Sequence, residues 1–153
     1  MSAMAIETIL LAVGSNDERR IEELGEAVTE VAVPTGARVV VAHVFEDDEF
    51  DRTRSRLKDR EDEDPLEPDD VALRHATVRG LVDILEEAGL KPEIRGAVGD
   101  RAPTVVSLAE EYGADRVVIG GRERSPAGKA VFGSTAQEIL LSAPCPVTFV
   151  RSE

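Results

Sequence analysis

Residues 117–135 hold the densest concentration of ligand-binding chemistry in this chain: Val117-Val118-Ile119-Gly120-Gly121-Arg122-Glu123-Arg124-Ser125-Pro126-Ala127-Gly128-Lys129-Ala130-Val131-Phe132-Gly133-Ser134-Thr135. A short β-branched apolar run stops at two glycines, a basic loop follows, and an apolar-periodic segment begins after Gly133-Ser134. The pattern reads as strand, loop, helix. Glycine lets backbone N–H groups come close to a ligand, and a helix start adds unpaired donors with partial positive charge. Arg122, Arg124 and Lys129 bring cations into a chain that is otherwise strongly acidic. The chemistry expected is capture of an anion, above all a phosphate.

Two stricter phosphate motifs fail. A Walker A loop needs Gly, four residues, then Gly-Lys-Ser/Thr; Gly128-Lys129 fits its middle, but Glu123 stands where the first glycine belongs and Ala130 where the Mg²⁺-binding hydroxyl belongs. The first strand is not followed by Gly-x-Gly-x-x-Gly. Covalent chemistry is poorly supplied. The histidines are His43, at a strand end, and His75, on a helix, and both are expected to be structural. Cys145 is the only cysteine, far from either in sequence, and is expected to be a small buried residue. No serine sits in a Gly-x-Ser-x-Gly elbow. The acidic run Glu61-Asp62-Glu63-Asp64 lacks the ligand spacing of a calcium loop. The expectation is a binding protein with no catalytic residues and no metal site, a slow nucleotide hydrolase being the weaker alternative.

Composition narrows the class further. At 153 residues the chain is one domain, 1–153, large enough for a proper core. Its 31 Asp and Glu against 18 Lys and Arg give a formal charge of −13, which disfavours nucleic acid. The lysines are only Lys58, Lys91 and Lys129, and an acidic, lysine-poor surface is what adaptation to high salt looks like. The longest apolar run, Ile9 to Val13, is far too short for a membrane span. Met1 to Glu7 has neither a basic start nor a long apolar stretch, so a cytoplasmic protein is expected.

The elements that must position the basic loop follow in order. Ile6–Val13, Arg38–Phe45, Pro92–Val98, Asp115–Ile119 and Pro146–Arg151 are expected strands, short and mostly apolar as in a parallel sheet buried on both faces. Ile21, Leu24, Val28 and Val31 recur at helical spacing. So do Leu73, Ala76, Leu81, Ile84, Leu85 and Ala88, in a helix capped by Asp69 or Asp70. Val105, Val106, Leu108, Ala109 and Tyr112 form the buried side of a third helix. Ala136, Ile139, Leu140 and Ala143 face inward on a fourth, with Ser134 as N-cap and Gln137 completing a capping box. Residues 46–68 are expected to be a mobile acidic connection with a short helical piece near Arg52 to Arg60. Strict alternation of strand and helix implies an α/β fold: an open five-stranded parallel sheet, order 3-2-1-4-5, with helices on both faces. Its switch point lies between strands one and four, where the Gly14 turn and the Gly120 loop would meet.

The loop resembles the signature of the universal stress protein family, Gly-x2-Gly-x9-Gly-Ser/Thr, with Glu123 in place of the second glycine. The likeness extends along the chain: Ile9-Leu10-Leu11-Ala12-Val13-Gly14-Ser15, Ala42-His43-Val44, Gly99-Asp100-Arg101-Ala102, Asp115-Arg116-Val117-Val118-Ile119-Gly120 and Ala143-Pro144-Cys145-Pro146-Val147 match family segments in order. The resemblance implies a Rossmann-like, adenine-nucleotide α-hydrolase-like fold, a stress-response signalling role and a homodimer paired through the last strand. It also implies a cleft for ATP or AMP, with Mg²⁺ accompanying ATP. Matched to the family's site are Val13 and Val44 around the base, Gly14 at the place of a first-strand Asp that contacts the nucleotide, and Gly120, Gly121, Arg122, Arg124, Gly133, Ser134 and Thr135 around the phosphates and ribose. Gly14 and Glu123 depart from the ATP-binding pattern, which has Asp and Gly there. The alternative is a universal stress protein that holds no ATP and acts through dimer and partner-protein contacts.

Overall fold

A computed structural model describes residues 5–57, 67–122 and 133–152 of the chain. Five parallel strands, β1 (Thr8–Val13), β2 (Arg38–Phe45), β3 (Glu93–Val98), β4 (Arg116–Arg122) and β5 (Val147–Ser152), form one sheet in the order β3-β2-β1-β4-β5. The helices among the described residues are α1 (Ile21–Thr35), α2 (Asp47–Leu57), α3 (Pro68–Arg74), α4 (Ala76–Glu87), α5 (Arg101–Tyr112) and α6 (Ser134–Ser142), with a 3-10 segment at Ser15–Arg20.

Strand β1 is the middle of the sheet and buried along its whole length. Because successive side chains on a strand point to opposite faces, its apolar run feeds two cores. Ile9, Leu11 and Val13 join Val39, Val41 and Val118 beneath Leu24 and Val28 of α1 and Val78, Leu81 and Leu85 of α4. Leu10 and Ala12 join Val40, Ala42, Val44 and Ile119 beneath Val105 and Leu108 of α5 and Ala136 and Ile139 of α6. A strand with no polar face can sit only in such a two-sided environment, where each fully buried Leu, Ile or Val contributes roughly 1.5–3 kcal/mol. Helix α1 ends at Gly36 and α5 at Gly113, both left-handed (φ 70° and 62°), the cap conformation glycine adopts without a Cβ penalty.

The expected strand order is observed, and several expected boundaries are corrected. The 46–68 connection carries α2, which begins at Asp47, five residues before the expected helical piece; Asp47, Asp48 and Glu49 lie in its first turn, where carboxylates favour the positive end of a helix. Residues 58–66, including the acidic run, lie outside the described residues. The single helix expected after Asp69 is two, because His75 is extended (φ −71°, ψ 132°). Leu73, expected inward, is therefore exposed. The His75 ring caps α4, Nδ1 accepting the Thr77 N–H at 3.3 Å. Helix α3 lies against β3: the Gly96 N–H donates to Asp69 Oδ1 at 2.7 Å, and a Cβ on Gly96 would overlap the Pro68 carbonyl. A small third cluster, Phe45, Phe50, Val71 and Ala72, ties α2 and α3 to the end of β2.

Candidate functional site

Beyond the carboxyl ends of β1 and β4, where the strand order reverses, lies a cleft of about 380 Å³. Such a switch point is where open α/β sheets bind ligands, because neighbouring connections run to opposite faces and leave a gap. Val13 and Gly14 enter from the end of β1, Val44 from β2, Gly120 and Gly121 from β4, and Gly133, Thr135, Ala136 and Ile139 from the start of α6. Gly14 and Gly133, 119 positions apart in sequence (133 − 14), line one space.

Most sequence-derived site residues are brought together here: Val13, Gly14, Val44, Gly120, Gly121, Gly133 and Thr135 line the cleft. Ser134 does not line it. It is the exposed first residue of α6, and the N-cap is Gly133, with no side-chain cap. The expected Ser134–Gln137 capping box is therefore not formed: α6 opens one residue earlier, the Gln137 N–H donating to the Gly133 carbonyl as the first helical bond. Arg122 ends β4; its side chain, like Glu123, Arg124 and Lys129, lies outside the described residues. The expected break at Gly120-Gly121 is also corrected. Strand β4 runs on through both glycines, pairing Gly120 with Val150, Gly121 with Arg151 and Arg122 with Ser152. Glycine serves close approach here instead of a turn. A Cβ on Gly121 would come within 2.7 Å of the Phe149 ring, and one on Gly120 within 2.8 Å of Asp17 Oδ1.

Asp17 and three arginines were missed or underweighted by sequence reasoning. Asp17 Oδ2 accepts the Gly14 N–H at 2.7 Å, Asp17 N–H returns a bond to the Gly14 carbonyl at 3.0 Å, and Oδ1 pairs with Arg20. Asp17 and Arg20 are both buried. A carboxylate thus reaches the cleft from the 3-10 segment in place of the end of β1. Arg19, Arg20 and Arg101 line the same cleft. Arg101, at the start of α5, is held by Glu49, with Nη2 donating to Oε1 and Oε2 at 3.2 and 3.3 Å. Arg101 was detectable as the first residue after the Gly99-Asp100 turn at the carboxyl end of β3, and Arg19-Arg20 as the pair following the Gly14 turn.

His43 stands behind the cleft. It is fully buried, and its Nδ1 lies 2.9 Å from the carbonyl of Val13, which can only accept, so the ring donates. Nε2 has no partner. Burial, and then the nearby His75, lower its pKa to about 4. His75 is also lowered, chiefly by burial. Cys145 is half-buried with its thiol pKa raised, first by burial and then by Asp115. Among the described residues no His, Cys, Asp and Glu group suited to a metal ion is present, and no described helix is long and apolar enough to cross a membrane.

Sheet order and crest cleft together define an open, doubly wound α/β protein with a cleft at its switch point. The sequence profile of the universal stress protein family matches residues 5–151, and the chain belongs to that family. A universal stress protein of Mycolicibacterium smegmatis is 40% identical over 79 residues, which make up 51% of this chain and 61% of that protein. A universal stress protein structure from Archaeoglobus fulgidus is 28% identical, with coverage of 95% of this chain and 98% of that one and a TM-score of 0.68. A structure of the universal stress protein from Archaeoglobus fulgidus in complex with dAMP is 25% identical, with coverage of 96% and 99% and a TM-score of 0.64.

Proposed function

We propose that this universal stress protein binds an adenine nucleotide, ATP or AMP, in the crest cleft and acts by binding and signalling, not by rapid turnover. The observation that carries this reading is the convergence of Gly14, Gly120 and Gly133 on one cleft at the switch point. Gly133 starts α6 without a side-chain cap, so the first-turn N–H groups are available to a phosphate. Arg19 adds positive charge to the cleft, and Arg20 and Arg101 line it from ion pairs with Asp17 and Glu49. The dAMP complex of a relative 25% identical supports an adenine nucleotide as the ligand. In this reading Val13 and Val44 face the base, Gly120, Gly121, Gly133 and Thr135 the phosphates and ribose, and Arg122 and Arg124 lend charge from the loop. Mg²⁺ would accompany ATP.

Calorimetry with ATP and AMP, with and without Mg²⁺ in high salt, tests it. Saturable heat is expected, and its absence up to about millimolar ligand, the weak end of useful affinity, would reject nucleotide occupancy. A second reading, a universal stress protein working through protein contacts alone, is favoured by one observation: both oxygens of Asp17 are already engaged by Gly14 and Arg20.

The homodimer is assigned to β5. It lies at the sheet edge, its sequence Val147-Thr148-Phe149-Val150 is apolar and β-prone, and an open edge of this kind invites pairing. Light scattering in molar salt should return twice the 16.5 kDa chain mass. We further infer a cytoplasmic protein with a surface adapted to high salt.

A further inference from the structure

We propose a second anion-binding site, separate from the crest cleft, in the groove between α2 and the start of α4, suited to a compact polyanion of the pyrophosphate type. The groove has a volume of about 1040 Å³ and shares no lining residue with the cleft. Arg52 and Arg56 occupy successive turns of α2, one helical repeat apart, so both lie on the same face of the helix. Arg74, the last residue of α3, lines the groove from a second element. Thr53 and Ser55 contribute hydroxyls, and His75 contributes its ring. Nδ1 of His75 already accepts the Thr77 N–H, so the neutral ring carries its proton on Nε2 and is a donor. Burial is the leading cause that keeps His75 in this neutral form.

Two of the three carboxylates in the wall are committed elsewhere. Asp51 Oδ1 accepts from Arg54 at 3.2 Å, and Glu49 holds Arg101. That leaves three guanidinium groups against Glu18, on a chain whose formal charge is −13. Guanidinium forks match phosphate oxygens two at a time. Apart from the three carboxylates, every polar side chain lining the groove can donate, which suits a ligand made only of acceptors. Three guanidinium groups drawn from two elements suit a ligand that carries several acceptor oxygens and more than one negative charge, as pyrophosphate does.

The test titrates ¹⁵N-labelled full-length protein with inorganic pyrophosphate at constant ionic strength, so that screening does not change. Saturable shifts are expected at the amides of Ser55, Arg56 and Thr77. The double substitution Arg56→Gln/Arg74→Gln should weaken binding at least about tenfold, since hydrogen bonds to charged groups are worth that much or more. Arg19→Gln, in the cleft, should leave it unchanged. Shifts confined to Gly14, Gly120 and Gly133 would place the anion in the cleft and overturn the proposal. So would shifts that fail to saturate by about 10 mM, far weaker than a useful site. Nucleotide binding in the crest cleft is read separately, with ATP and AMP.

Discussion

The imidazole rings of His43 and His75 lie 4.5 Å apart, tilted by 34°, one fully buried and the other half-buried. Phe45 packs its ring edge-on against His43 at 4.2 Å and lies 6.5 Å from His75. The His43 N–H is donated to the Val13 carbonyl, and Val13 lines the cleft. A titratable ring is thereby built into the wall behind the candidate ligand site, with His75 the neighbour that opposes its charging.

Stability should therefore fall on acidification in a way that belongs to His43. Its folded pKa of about 4 lies below the ordinary histidine value, so between the two the unfolded chain binds more protons than the folded one. Its contribution is complete above about pH 6.5 and is lost as pH falls from there toward 4, by about 3 kcal/mol in total at 1.36 kcal/mol per unit. The lowered His75 adds in the same direction. Urea unfolding of the native protein and of His43→Asn at pH 7.5 and 4.5 isolates the effect, because carboxylate titration is common to both. The native chain should lose about 2–3 kcal/mol more than the variant. Equal losses would show that His43 does not titrate as its burial requires.

Gly14 and Gly120 both face Asp17, yet they should respond differently to alanine. At Gly120 a Cβ would stand 2.6 Å from Arg20 Cδ and 2.8 Å from Asp17 Oδ1, inside a buried ion pair. At Gly14 the nearest atom, Asp17 Oδ2, is 3.9 Å away, an ordinary contact, and the backbone is extended at φ −122°. Overpacking of this kind costs about 1–3 kcal/mol. Thermal melts should show Gly120→Ala destabilised by that amount and Gly14→Ala shifted by less than about 0.5 kcal/mol, the usual range away from tight contacts. Comparable melts for the two variants would refute the packing account of Gly120.

Salt should stabilise this protein. Its formal charge of −13 is a self-repulsion that shrinks as the screening length falls from about 10 Å at 0.1 M to about 3 Å at 1 M. The exposed pair Arg38–Glu93 is screened as well, but exposed pairs are worth under about 1 kcal/mol, so relief of repulsion wins. A rise in Tm of roughly 5–10 °C between 0.1 and 2 M KCl is expected, equivalent to about 1–3 kcal/mol for a chain of this size. A flat or falling Tm would leave the acidic composition without a role in salt adaptation.

Strand order was legible because β1, β2 and β4 are apolar on both faces and each is followed by a helical period. A parallel, two-sided sheet leaves few alternatives. The crest position of Gly14, Gly120 and Gly133 followed from that order. What sequence did not reveal was set by contacts across the fold. Gly120 and Gly121 look like a strand end, but β5 supplies a ladder that carries β4 past them, and Phe149 and Asp17 fill the space that side chains would have taken. The break at His75 was hidden because Leu73 and Ala76 keep helical spacing across it; the extended residue is held by a cap to Thr77 and by stacking on a histidine 32 positions earlier (75 − 43). Arg101 shows no signal in the basic loop, since it reaches the cleft from a different helix start.

Gly14 and Glu123 stand where nucleotide-binding relatives are expected to carry Asp and Gly, and the surroundings of Gly14 determine how that difference must be reversed. Its extended backbone accepts any side chain, and a Cβ there meets nothing closer than 3.9 Å. The atom it meets, however, is Asp17 Oδ2, already bonded to the Gly14 N–H. Gly14→Asp alone sets two carboxylates against each other, and like charges at such range raise one pKa or push the side chains apart. Gly14→Asp with Glu123→Gly should therefore improve ATP affinity only modestly. Adding Asp17→Asn removes the repulsion while keeping an acceptor for the Gly14 N–H, and a further gain of about tenfold, 1.4 kcal/mol, is expected. Calorimetry across the three variants reads this directly. If the double variant already binds as tightly as the triple, Asp17 is not competing for the space that a first-strand carboxylate would use.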